Sequence, residues 1–441
     1  MFQTFKNAWK IDELRKKIIF TLFILLIFRL GAAIPAPFIN AAVLATSSLA
    51  NKETIFGFFD LMTGGSFSNA TLFALSVTPY INASIIIQLL QVVIPALERW
   101  SKEGEEGRNK INKLTRYSSI FISLSLAIVY YILLQNQGAL TYNFSDGFAG
   151  VFSAIVIVMC LTGGSVLLIW LGEQIDQKGI GSGISLLIFT GIIANLSKFV
   201  QTFIYYFQLA AGKYMDPTTG TYNTPIPSFW VILPLILIMF AAMFVFIIVM
   251  TNAERRIPVQ YAKRVVGRKM YGGQNTNIPI KVNMTGVLPI IFASTFLSVP
   301  ATIKNFFSID SKFLSLFDPD GWLYAVLYAL LIIGFNYFYV AVQYNPIQMA
   351  NDLRKNSGMI PGIRPGKPTT DFISRVISKI TFIGGIFLVL VATLPIIIAN
   401  TTGIQISLGG TSVLIIVGVA LEISNTLESY MLMRHHKGFL E

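Results

Sequence analysis

The sequence predicts an all-α polytopic membrane protein with ten transmembrane helices. Three observations predict it: a deficit of charge, ten apolar runs of spanning length, and a one-sided distribution of Lys and Arg. Only 12% of the 441 residues are charged, against 54% that are hydrophobic. Soluble globular chains carry roughly 25% charged residues. This chain has too little polar surface to cover a water-facing globule, so much of its surface faces lipid.

A spanning helix needs roughly 20 mostly apolar residues. Runs of that kind cover 18–38, 72–95, 117–137, 151–171, 183–209, 228–251, 285–304, 322–344, 372–399 and 410–432. Most end at Pro, Gly or a charge cluster, where a helix stops. The first run has the basic flank (Lys10 to Lys17) and the small residues (Gly31-Ala32-Ala33) of a secretory signal. Arg29 interrupts that pattern and apolar character resumes through Phe38, so the run reads as a span.

Orientation follows from counting Lys and Arg between the spans. With the N-terminal tail inside, 27 of the 33 lie on the inner side, in 1–17, 96–116, 172–182, 252–284, 345–379 and after 432. Lys52, Lys198, Lys213, Lys304 and Lys312 fall on the outer side, and Arg29 within a span. Both termini are therefore expected in the cytoplasm. The same asymmetry explains most of the +12 net charge without nucleic acid.

Two segments stand apart. Residues 54–67 (TIFGFFDLMTGGSF) are apolar but too short to span, which reads as re-entrant or interfacial. Irregular backbone at that depth survives only where protein or a water-filled cavity shelters it. Gly64 and Gly65 let the segment break from the helix that follows. The inner loops 252–284 and 345–371 are longer than a helix connection needs, and they are basic, as a docking surface is.

The chain also repeats itself. Ser76-Val77-Thr78-Pro79-Tyr80-Ile81-Asn82-Ala83-Ser84 in span two aligns with Gly286-Val287-Leu288-Pro289-Ile290-Ile291-Phe292-Ala293-Ser294 in span seven, with Val, Pro, Ile, Ala and Ser shared. The two spans run in opposite senses. Spans 1–5 and 6–10 therefore read as two halves in inverted order, an arrangement that places a functional path at the seam near the midplane.

Catalytic constellations are absent from the sequence. It has no H-E-x-x-H and no G-x-S-x-G. Gly362-Ile363-Arg364-Pro365-Gly366-Lys367-Pro368-Thr369 comes nearest to a phosphate loop. It is one residue short between its glycines, and Pro368 stands where Ser or Thr is required. Cys160, the single cysteine, lies in an apolar run, and His435 and His436 have no Cys partner for a metal. Neither an enzyme nor a cofactor is expected, and any energy must come from a partner or a gradient. Intramembrane charges are few: Arg29, Glu422 and Glu428. Spans two and seven carry no carboxylate, which argues against an ion-coupled transporter. Their aliphatic side chains suit a path that gates by dewetting and shape.

Several motifs complete the reading. Pro79-Tyr80-Ile81-Asn82-Ala83-Ser84-Ile85-Ile86-Ile87-Gln88-Leu89-Leu90 is the strongest. Lys102-Glu103-Gly104-Glu105 with Thr115-Arg116-Tyr117, Trp170-Leu171-Gly172-Glu173-Gln174-Ile175, and Gly179-Ile180-Gly181-Ser182-Gly183-Ile184-Ser185 follow. Tyr261-Ala262-Lys263-Arg264 and Pro361-Gly362-Ile363-Arg364-Pro365-Gly366 come from the long loops. In this order they resemble the SecY/Sec61-alpha family, whose bacterial members are the central channel subunits of the Sec translocase, over essentially the full chain.

The resemblance implies a clamshell of two five-helix halves around a central pore, plus a short plug helix. It implies a tail at 1–17, a first half at 18–209, an external linker at 210–227, a second half at 228–432 and a tail at 433–441. It implies an apolar pore ring of Val77, Ile81, Ile184, Ile188, Ile291 and Ile415. Val77 departs from the family's common isoleucine, which loosens the ring there by one methylene. Residues 54–67 would be the plug, with Phe56, Phe58, Phe59, Asp60, Leu61, Met62, Gly64 and Gly65. A lateral gate would open between spans two and three and spans seven and eight, with Asn82, Ile85, Gln88 and Thr295 along it. Arg255, Arg256, Lys263, Arg264, Arg268, Lys269 and Arg364 would receive the SecA motor ATPase or the ribosome. SecE and SecG would be its membrane partners, and secretory polypeptides and their signal sequences its substrates, in the bacterial plasma membrane. Two other readings stay open on the residues alone: a secondary transporter of small solutes built from inverted repeats, and a scaffold subunit without a pore.

Overall fold

The computed structural model describes residues 6, 8–40, 43, 60, 63–144, 147–213, 227–261, 264–266, 269–271, 275–307, 321–402, 404 and 409–437. Each of the ten apolar stretches holds one helix of the following set. They are α1 (Asp12–Gly31), α2 (Thr78–Val93), α4 (Glu105–Asn136), α5 (Phe148–Lys178), α6 (Gly183–Ala210), α7 (Phe229–Asn252), α8 (Leu288–Phe307), α9 (Trp322–Gln343), α11 (Lys367–Thr402) and α12 (Gly410–Lys437). Two short polar helices lie between them, α3 (Pro95–Lys102) and α10 (Pro346–Lys355).

Among the described residues, 7 helices are long and apolar enough to cross a membrane, and the bent pair α2–α3 makes 8. The other two fall short on composition or length. α1 carries Arg15, Lys16, Lys17 and Arg29, and in α8 the described apolar residues are Leu288–Leu297. The 106° bend between α2 and α3 has a local cause. Ile94 precedes Pro95 and is held extended at φ -98, ψ 112, because the proline ring excludes the helical conformation there.

The helical fold has one small addition. The inner loops 252–284 and 345–371 contain a sheet. β1 (Glu254–Tyr261) pairs antiparallel with β4 (Asn275–Lys281), from Glu254↔Lys281 to Gln260↔Asn275. The other edge of β1 receives β5 (Gly358–Met359) from the second loop. Between β1 and β4, β2 (Arg264–Val266) and β3 (Lys269–Tyr271) pair as a separate ribbon. The strands are too short and too polar for span counting to register. Their signal is alternation: in β1 Ile257 and Val259 are buried between exposed neighbours.

The chain divides into two compact units, Met1–Thr202 with Val419–Glu441, and Phe203–Gly418. In the first, α4 packs on α2 and α5, and α1 on α5. Its core joins Phe67, Ala70, Ala74 and Leu75 to Tyr130, Leu134, Ile157 and Leu161. In the second, α9 packs on α11 and α8. A separate core there ties the sheet to the helices through Ile257, Val259, Ile280, Leu353, Ile360, Ile373 and Ile377. Asn336 is a buried polar knot in this unit. It accepts from Thr285 Oγ1 at 2.7 Å and donates to the Thr381 carbonyl at 2.8 Å.

Candidate channel seal and docking surface

The short segment before α2 is built by turns. Gly64 and Gly65 have φ of 70° and 87°, the left-handed region that favours glycine. Gly64 has a second constraint, since a Cβ there would lie 2.6 Å from the Gly191 carbonyl oxygen on α6. The segment therefore sits backbone against backbone on α6. Its carbonyls are used as well. Tyr130 on α4 donates its hydroxyl to the Phe67 carbonyl, and the two rings lie 4.6 Å apart. Ala36 N–H donates to the Ala70 carbonyl and Leu72 N–H to the Ile34 carbonyl, both at 2.9 Å, tying the segment to the chain after α1.

Asp60 is the charge in this apolar setting. Its side chain is 8% exposed, with Lys198 Nζ 3.4 Å from Oδ2. Oδ1 accepts from Ser68 N–H at 2.8 Å. The Asp60 carbonyl accepts from Gly65 N–H at 3.0 Å and from Asn195 Nδ2 at 3.3 Å. Of the plug residues expected from sequence, Asp60, Gly64 and Gly65 are thus brought together against α6. Phe56, Phe58, Phe59, Leu61 and Met62 lie outside the described residues.

The expected ring residues occupy matching local positions. Val77 caps α2, and its carbonyl accepts from Tyr80 and Ile81 N–H, each at 3.1 Å. Val287 does the same before α8, accepting from Ile290 at 3.1 Å and Ile291 at 3.2 Å. In each case a proline stands in the first turn, where its missing N–H costs nothing. The repeat seen in sequence is a repeat of helix initiation that delivers Ile81 and Ile291 to the same turn. Ile184 and Ile188 lie one turn apart on α6, both half-buried. Val77 is 1% and Ile415 7% exposed. Among the expected gate residues, Ile85 is buried and Gln88 is exposed, donating to Ser84 Oγ at 3.4 Å. Asn82 is half-buried, and Thr295 Oγ1 donates back to the Ile291 carbonyl at 2.8 Å.

The expected docking residues lie on the sheet and its flanks. Arg255, Arg256 and Arg364 are exposed. Arg256 is paired with Glu254 at 2.7 Å, while the sheet beneath keeps its apolar side chains inward. Arg264 and Lys269 fall at the two ends of the β2–β3 ribbon. Lys263 and Arg268 lie outside the described residues.

Comparison with known proteins shows the family. The SecY family model matches residues 71–424. Over 454 aligned residues the chain is 40% identical to the protein translocase subunit SecY of Thermotoga maritima, covering 100% of this chain and 98% of that protein. The chain belongs to the SecY family. The SecY of Bacillus subtilis is likewise 40% identical over 449 residues, with 100% of both chains covered. Among solved structures, one described as the structure of a protein conducting channel aligns with a TM-score of 0.61 at 20% identity, covering 94% of this chain and 92% of the other. Sec61 in a canine ribosome-channel complex aligns at 0.59 and 20%, with the same coverage. At that identity the likeness concerns the fold, which is the multi-pass helical fold of SecY and Sec61 channels. A third, at 0.58 and 20% and also covering 94% and 92%, is a SecY described as having a plug domain that stabilises the closed state and maintains a membrane seal.

Within this SecY-family chain, sequence reasoning missed the partners of Asp60. One signal for them existed. A carboxylate inside an apolar run needs a counter-charge, and Lys198 is one of only five Lys and Arg that charge counting assigns to the outer side. Asn336 was missed as well, although an amide inside a spanning helix requires partners for the same reason.

Proposed function

We propose that this chain is the conducting subunit of a protein translocase. Unfolded secretory polypeptides pass through it, and transmembrane segments leave it sideways into the bilayer. The observation that carries the reading is full-length membership of the SecY family, at 40% identity to translocase subunits. The same membership weighs against the small-solute transporter.

The physical logic is partitioning. A run of about 20 apolar residues prefers lipid to a wet pore, so opening a seam is enough to sort it. An aliphatic constriction excludes water and ions while moulding to varied passengers. In this reading Val77, Ile81, Ile184, Ile188, Ile291 and Ile415 form the ring, and residues 54–67 the plug. Asn82, Ile85, Gln88 and Thr295 line the gate. The sheet and Arg364 face the cytoplasm, where SecA or a ribosome docks, and SecE and SecG complete the assembly in the bacterial plasma membrane. Both termini are cytoplasmic. The chain acts as a conduit, and its motor supplies direction.

The test is site-specific cross-linking. A photoreactive residue at position 81 or 291 should capture a secretory chain stalled during translocation. The same probe at Phe121, an exposed residue of α4, should not. Equal capture at all three positions would overturn the pore path.

A further inference from the structure

α6 carries more than ring residues. Ile184, Ile188, Gly191, Asn195 and Lys198 follow one another at spacings of four, three, four and three. That spacing keeps them on one stripe of a helix. The two expected ring isoleucines are at its start. Gly191 provides the carbonyl on which Gly64 rests. Asn195 and Lys198 hold Asp60, by its carbonyl at 3.3 Å and its carboxylate at 3.4 Å.

The carboxylate divides its work. Oδ1 accepts from Ser68 N–H just past the segment, beside Phe67, whose carbonyl Tyr130 holds. Oδ2 reaches outward to Lys198. The two partners also differ in solvation, since the Asp60 side chain is 8% exposed and that of Lys198 50%. A buried carboxylate depends on its counter-charge, because without it the desolvation cost is uncompensated. A half-exposed lysine depends less on its partner. Drawing Lys198 aside therefore destabilises Asp60 in its seat.

We propose that Asp60 and Lys198 form an electrostatic latch that holds the seal segment on α6, released by movement of the α6 stripe. A polypeptide that pushes on Ile184 and Ile188 displaces the helix that carries Asn195 and Lys198. The segment then loses its amide and its counter-charge together, and Asp60 is left with Ser68 alone. Pore opening and seal release are coupled through one helix. This inference rests on the reading of 54–67 as the seal.

The experiment measures ion leak through the full-length chain reconstituted in vesicles, for wild type, Asp60→Asn, Lys198→Met, the double variant and a deletion of residues 54–65. Asp60→Asn keeps an oxygen to accept from Ser68 and removes the charge. Lys198→Met leaves the segment untouched and alters a half-exposed side chain that folding tolerates. Each single variant should raise leak on the order of three- to tenfold, the range expected for one partly buried ion pair. The double variant should leak no more than either single, because both remove the same contact. Raising salt from 0.1 to 1 M should increase wild-type leak relative to the deletion, through screening of the exposed lysine, and should leave Lys198→Met unchanged. Wild-type leak in both single variants, with a leaky deletion, would overturn the latch and leave the seal standing. A deletion that does not leak would overturn the seal reading and the latch with it.

Discussion

Gln260 on β1 and Met359 on β5 are antiparallel partners, although α8, α9 and α10 lie between them in the chain. Through this pairing the two long polar loops fold as one body, with Ile257, Val259, Ile280 and Ile360 buried beneath it. A change in one loop is therefore felt in the other.

Gly358→Val should show this. A Cβ at Gly358 would lie 3.0 Å from Tyr261 Cε1 and 3.3 Å from Val259 Cγ1. A branched side chain must push β5 away from β1, at a cost of about 1–3 kcal/mol. Limited proteolysis of the purified protein should then cut within 252–284 faster than in wild type, despite a substitution in the other loop.

Arg364→Glu tests docking separately from folding. Arg364 is exposed, so reversing its charge should change stability by no more than about 0.5 kcal/mol. Translocation driven by SecA into vesicles should fall at least about tenfold, the scale of one lost charge contact turned repulsive. Normal translocation would sink the role of this arginine.

Tyr130→Phe removes the hydroxyl that serves the Phe67 carbonyl and keeps the ring contact. The expected loss is about 1 kcal/mol, the usual net value of one such bond. It should appear as a lower Tm in detergent and as a modest rise in ion leak. A lower Tm with wild-type leak would show that the bond supports the fold alone.

Asn336→Leu should be the costlier change. It strands Thr285 Oγ1 and removes the second donor to the Thr381 carbonyl, which keeps its helical bond. One orphaned hydroxyl and one lost bond suggest a loss of about 1–3 kcal/mol. Thr285→Val alone should cost less. The double variant should fall short of the sum, since the two side chains share one hydrogen bond.

Replacing Ile81, Ile188 and Ile291 together by glycine tests the ring. The three side chains are half-buried within their own units, so truncation costs the packing less than it would for the buried Val77 or Ile415. Without aliphatic bulk a dewetting barrier fails, and resting ion conductance in vesicles should rise several-fold.

Much of this architecture was legible before any coordinates. Membrane insertion follows from a shortage of charge, since lipid forces long apolar runs to be helices that satisfy their own backbone. The positions of helices followed for the same reason, and the repeat around Pro79 and Pro289 reappears as two identical helix starts. Family motifs are what proposes Ile81 and Ile291 for the ring. These are local properties, written in composition and short-range spacing.

The sheet at 254–281 and 358–359 was not legible, because its strands are half-polar and one comes from a distant loop. The bend at Ile94 was written in Pro95 but hidden by the apolar run that continues through it. Asp60 and Lys198 are both visible in the sequence. Nothing local pairs them, since the contact arises only when the turn at Gly64 lays its backbone on Gly191. Periodicity and charge counting report what each residue needs, whether lipid, water or a counter-charge. Which residue meets that need is a matter of long-range packing, and the tertiary structure alone decides it.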